Sequence, residues 1–157
     1  MKSSYSRHFI TACICATAAL GSKTAAAQSG PAPCSLLTSP QISAAVGVSV
    51  GAAQPIANTG CSWSAPHMIV TVSLWDGNKW DQMKAPFPGA SRSAVSGLGD
   101  DAFYTTLGSG SGKQIATLTV KKGSTAYLIK VYAPDVTQQM SMEKTLAGNV
   151  MAKLSGG

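Results

Sequence analysis

Hydrophobic and polar positions alternate with a period of two over Met68–Trp75, Ile115–Lys121 and Ser124–Tyr132. They recur at helical spacing over Leu36–Val46 and again from Val136 to Leu154. Side chains on a strand point alternately to its two faces, so the first pattern predicts half-buried strands. In the first strand Met68, Val70, Val72 and Leu74 face one way, and Ile69, Thr71, Ser73 and Trp75 the other. Leu118 and Val120 alternate with threonines, and Tyr127, Ile129 and Val131 with Leu128 and Lys130, which makes a hairpin turning at Lys122-Gly123. Cys61–Ser64 reads as a shorter strand ended by Pro66, joined to the Met68 strand through Ala65-Pro66-His67, and Ala102–Leu107 as a fifth.

Two helices flank these strands. Leu36–Val46 has Thr38 or Ser39 as a cap, Pro40 in its first turn and Gly47 at its end. The last helix opens at Pro134-Asp135 and carries Val136, Met140, Leu146, Ala147, Val150, Met151 and Leu154 as its apolar stripe. Lys79–Ala85 reads as a short helix capped by Asn78, Pro86–Ser93 as loop, and Gly47–Ala57 as a turn with a weak extended segment. Tight turns between consecutive strands imply antiparallel pairing, and amphipathic helices need an apolar face to cover. The class is therefore α+β: an antiparallel sheet of about five strands, with an N-terminal helix and a long C-terminal helix packed on it.

The first residues change what composition means. Lys2, Arg7 and His8 precede an uncharged run, Phe9–Leu20, which ends before Ala25-Ala26-Ala27. This is the layout of a signal peptide, residues 1–27, with cleavage after Ala27. The run is 12 residues long, against about 20 needed to cross a bilayer. Ile10-Thr11-Ala12-Cys13 has the residue types of a lipoprotein box, but it sits at the start of the apolar run rather than its end, so Cys13 is not read as a lipid anchor. The expected product is periplasmic or extracellular, with residues 28–33 a flexible lead-in and 34–157 one α+β domain, taken as a monomer without a transmembrane segment.

Removing residues 1–27 takes away three basic residues and no acid, so the net charge falls from +6 to +3. The remaining cations are scattered, which argues against nucleic-acid binding. It also removes Cys13 and Cys15, leaving Cys34 and Cys61 as an even pair in an oxidising compartment. Those two are expected to form a disulfide.

Candidate chemistry is sparse. His67 is the single histidine after residue 27, and it falls in a hairpin turn. Met68, Met140 and Met151 lie on apolar faces, where methionine acts as core filler, so neither a metal site nor a cofactor is expected. Leu107–Gln114 resembles a phosphate loop but has Leu107 where glycine is required and Gln114 where serine or threonine is required. Asp100-Asp101 is the one acidic pair; neighbours on an extended chain point to opposite sides, so a tight turn is the reading, with an enzyme built on these residues the alternative.

Trp63, Trp75 and Trp80 are candidate ligand contacts. Trp75 shares its strand face with Ile69, Thr71 and Ser73. An exposed aromatic set on a sheet would make a binding surface, while burial of this face under the second helix is the commoner arrangement.

Cys34-Ser-Leu-Leu-Thr38, Ile42…Val46-Gly47-Val48, Cys61-Ser-Trp63, Val95-Ser-Gly-Leu-Gly-Asp100-Asp-Ala-Phe103-Tyr104 and Leu118-Thr-Val-Lys-Lys-Gly123 occur in order along the chain. Together they resemble the small exported bacterial domains of the DUF3558 type, often lipoproteins. The resemblance implies an α+β domain with a Cys34–Cys61 bridge and brings no established catalytic residues. The functional expectation is a non-enzymatic binding or interaction module for a protein or small ligand. The alternative is an inhibitor or accessory partner of an envelope enzyme acting through Pro86–Arg92 or Gly108–Gly112.

Overall fold

The structure, a computed structural model, describes residues 31–108 and 113–156. The expected signal peptide, Cys13, residues 28–30 of the lead-in and residues 109–112 of the Gly108–Gly112 loop lie outside them. Among the described residues seven strands form one antiparallel sheet: β1 (Gln54–Ile56), β2 (Gly60–Ala65), β3 (Met68–Asp76), β4 (Ala90–Ala94), β5 (Asp101–Gly108), β6 (Gln114–Lys122) and β7 (Thr125–Tyr132). Their order across the sheet is β1-β2-β3-β7-β6-β5-β4. Three α-helices accompany it, α1 (Ser39–Val46), α2 (Trp80–Met83) and α3 (Val136–Ser155), with short 3-10 turns at Pro33–Ser35 and Gly77–Lys79.

The α+β class and the terminal helices are as the pattern predicts; the strand count is corrected from about five to seven. Both extra strands are edges. β1 is exposed throughout, and β4 pairs with β5 through Ser91, Arg92 and Ser93. An edge strand with little apolar burial carries no alternation to detect, so Pro86–Ser93 reads as loop until its pairing is seen.

Local chemistry sets the helix ends. The Thr38 hydroxyl accepts from the Gln41 N–H while Gln41 Oε1 accepts from the Thr38 N–H at 2.9 Å, a reciprocal capping box. Helix α1 therefore starts at Ser39, and Leu36 and Leu37 are buried in the approach to it. Gly47 closes it in the left-handed conformation, φ 76°. Asp135 caps α3 by accepting from the Gln138 N–H. For the turn after β3 the cap is Asp76, not Asn78: its carboxylate accepts from the Asn78 N–H at 2.9 Å.

Helices α1 and α3 lie on one face of the sheet. Val70 and Val72, Leu118 and Val120, and Tyr127, Ile129 and Val131 meet Ile42, Leu146 and Val150 there, all fully buried. The Cys34–Cys61 disulfide, Cα atoms 5.1 Å apart, ties the N-terminal segment to β2 beneath α1.

The sheet is split near its centre. Pairing of β6 with β7 runs from Lys122–Thr125 to Leu118–Ile129 and stops. Beyond that point two side chains of α3 serve the freed backbone. The Ala116 N–H donates to Gln139 Oε1 at 3.1 Å, Gln139 Nε2 donates to the Ala133 carbonyl, and the Val131 N–H donates to Glu143 Oε1 at 2.9 Å. Gln139 and Glu143 thus replace ladder hydrogen bonds that strands this far apart cannot make.

Glu143 is fully buried, and its Oε2 has no hydrogen-bond partner among the described residues. Burial pushes its carboxyl up to about 7, against the opposing pull of the Val131 and Leu118 N–H groups and Lys130. The folded pKa lies above the ordinary 4.5, so the associated stability is fully present below pH 4.5 and is lost as pH rises through about 7. The loss is about 3 kcal/mol. Glu143→Gln keeps a neutral group in place, and its urea midpoint is expected to stay flat where the parent falls. Parallel profiles for parent and variant between pH 4 and 8 would show that Glu143 is not the group responsible.

Candidate functional site

The face opposite α1 and α3 is only partly covered, by α2 at one end. Period-two alternation puts Thr71, Ser73 and Trp75 of β3, Leu128, Lys130 and Tyr132 of β7, Thr117 and Thr119 of β6, and Phe103 and Thr105 of β5 on this side. With Lys79, Gln82 and Met83 they line a pocket of about 530 Å³. The helices cover the Val70–Val72 face, so burial of the Trp75 face under the second helix does not occur. Trp75 is 51% exposed and Tyr132 40%. Which face the helices would choose was not legible because both carry large apolar residues.

The α2 rim is pinned from three sides. Trp80 packs on Phe103 with ring centroids 5.3 Å apart, over Ala126. Its indole N–H donates to Asp101 Oδ2 at 2.8 Å, and Lys84 sits 3.6 Å from the same oxygen. Arg92 of β4 donates to the Met83, Lys84 and Ala85 carbonyls at the end of α2, with its guanidinium 4.9 Å from the Phe103 ring centroid. A guanidinium fork suits several carbonyls at once, so the edge strand clamps the rim.

The three tryptophans have separate fates. Trp63 is in the core between sheet and helices, 1% exposed, and Trp80 is buried under the rim. Neither lines the pocket; of the three, Trp75 does. A second pocket of about 590 Å³ opens on the other side of Trp75 and Lys79, against Pro31–Pro33, Asn58 and Thr59. A third of about 600 Å³ adjoins Tyr132 and includes His67, which turns the β2–β3 hairpin at φ 61°.

Asp100 and Asp101 diverge. Asp100 Oδ2 accepts from the Gly123 N–H at 2.6 Å, with Lys122 3.5 Å from its other oxygen. These contacts, the Gly123 hydrogen bond foremost, hold its carboxyl below the usual range. The Trp80 indole does the same for Asp101. Both carboxylates therefore brace turns and the rim. Among the described residues no three His, Cys, Asp or Glu side chains come close enough to hold a metal ion.

The hydroxyl-lined floor was the part sequence reasoning missed. Thr71, Ser73, Thr105, Thr117 and Thr119 are unremarkable singly and meet only through the register of four strands. Compared with family models, curated proteins and solved structures, the chain matches none. No described helix is long and apolar enough to cross a membrane.

Proposed function

We propose that this chain is an exported, non-enzymatic binding module of the DUF3558-like kind, and that its site is the open sheet face, taking a small ligand. The observation that carries this reading is a concave, water-accessible pocket walled by the half-exposed indole of Trp75. Its volume, about 530 Å³, is in the range of small-molecule sites. A large apolar side chain left out of water only in part is where binding energy is available. Export is supported by the Cys34–Cys61 bridge, since such bonds persist in oxidising compartments. Engagement of Asp100 and Asp101 in structural contacts supports the non-enzymatic part.

Native mass spectrometry of protein purified from its own host tests the reading, because it weighs the polypeptide, its bridge and any retained ligand together. The expected result is a retained small molecule that Trp75→Ala loses, with the variant unfolding at the parent's temperature because the side chain is half-exposed. A ligand kept in full by Trp75→Ala would remove the open face from consideration.

A second reading, partner of an envelope enzyme, rests on Phe87. It is 61% exposed in the loop left between α2 and β4. Deleting residues 86–89 would abolish enzyme capture under that reading and leave small-ligand binding intact.

A further inference from the structure

The charge on the open face narrows its ligand. Two lysines, Lys79 and Lys130, line the pocket, and no carboxylate does. Asp81, Asp100 and Asp101 pair instead with Lys84 and Lys122. Lys130 is on β7 directly across from Thr71 of β3. Its ammonium is 5.2 Å from the Tyr132 ring centroid. On its other flank β6 and β7 are no longer paired, so Thr117 also borders the pocket beside a widened floor. Hydroxyl donors beside a cation make a site for an oxyanion. Trp75 is four residues along β3 from Thr71, about 13 Å at strand spacing, and with Phe103 and Met83 it supplies an apolar wall at that end.

We infer that the ligand of this face is a small amphipathic anion, its acidic group at Lys130 with the Thr71 and Thr117 hydroxyls and its planar or apolar body against Trp75. This rests on the open face being the binding site. A neutral apolar compound would cover the lysine and hydroxyls without offering them a hydrogen-bond acceptor, and a cation would meet like charge. A site built this way discriminates by the cost of leaving its polar groups unpaired.

Two dyes of nearly one shape test it on the disulfide-intact protein. 8-Anilinonaphthalene-1-sulfonate carries an anionic group; N-phenyl-1-naphthylamine is the same skeleton without it. The sulfonate dye is expected to bind at least ten-fold more tightly, with affinity that falls as salt is added. Lys130→Gln is expected to weaken the sulfonate dye about ten-fold and leave the neutral dye unchanged. Trp75→Ala is expected to weaken both, and Lys144→Gln, on exposed helix surface, neither. Equal affinities for the two dyes, or a sulfonate affinity that Lys130→Gln does not change, would overturn the anionic assignment. If Trp75→Ala still weakened both dyes in that case, the open face would stand as the site and only the ligand class would fall. Binding of neither dye, or of both regardless of Trp75, would remove both proposals. Unfolding curves for each variant separate lost contact from lost fold.

Discussion

Replacing Cys34 and Cys61 together by alanine is expected to cost about 3.5 kcal/mol of stability. The bridge spans 27 residues of sequence, and opening it returns the conformational freedom of that loop to the unfolded chain. The location makes the effect consequential. The bridged segment leads into Leu36, Leu37 and α1, which complete the core above β2 and α3. Urea titration of parent and double variant measures the difference in midpoint. A variant within about 1 kcal/mol of the parent would mean that packing of Leu36, Leu37 and Ile42 alone holds the N-terminal segment down.

Gly99→Ala is expected to be as damaging, at about 4 kcal/mol, while Gly97→Ala two residues earlier costs only about 1–2 kcal/mol. Both glycines have positive φ, 80° at Gly97 and 60° at Gly99, so each substitution carries the left-handed penalty. They differ in surroundings. A Cβ on Gly97 meets nothing within 4 Å, whereas one on Gly99 would lie 2.2 Å from the Lys121 carbonyl oxygen. That oxygen cannot retreat freely, because it accepts from the Asp100 N–H at 2.8 Å. Asp100 in turn holds the β6–β7 turn through the Gly123 N–H. Equal losses for the two variants would show that φ, not the close approach, decides the cost.

Much of this architecture was legible from residue patterns. Strands β3, β6 and β7 announce themselves because apolar residues alternate along each and the fully buried ones among them face the core. Helices α1 and α3 carry their caps, Thr38 and Asp135, in the sequence. The disulfide followed once Cys13 and Cys15 were assigned to a leader. What was not legible depended on long-range register. β1 and β4 are polar edges defined by pairing alone. Gln139 and Glu143 are polar and stand outside the apolar stripe read for α3, yet both are buried and bond the backbone freed between β6 and β7. Isolated polar residues on a helix give no sign that a sheet has opened beneath them. The candidate site was half-visible: Trp75 was identified, but Trp63 and Trp80 are buried elsewhere, and the threonine floor exists only when β3, β5, β6 and β7 lie side by side.

The central claim is that the sheet face away from α1 and α3 binds ligand. Backbone amide shifts of the isotope-labelled protein, followed while 8-anilinonaphthalene-1-sulfonate is added, test it residue by residue. The account predicts saturable shifts concentrated at Thr71, Ser73, Trp75, Thr105, Thr117 and Lys130, with the outer surface of α3 unmoved. Shifts confined to α1, α3 or the Phe87 loop, with the open face silent, would contradict it.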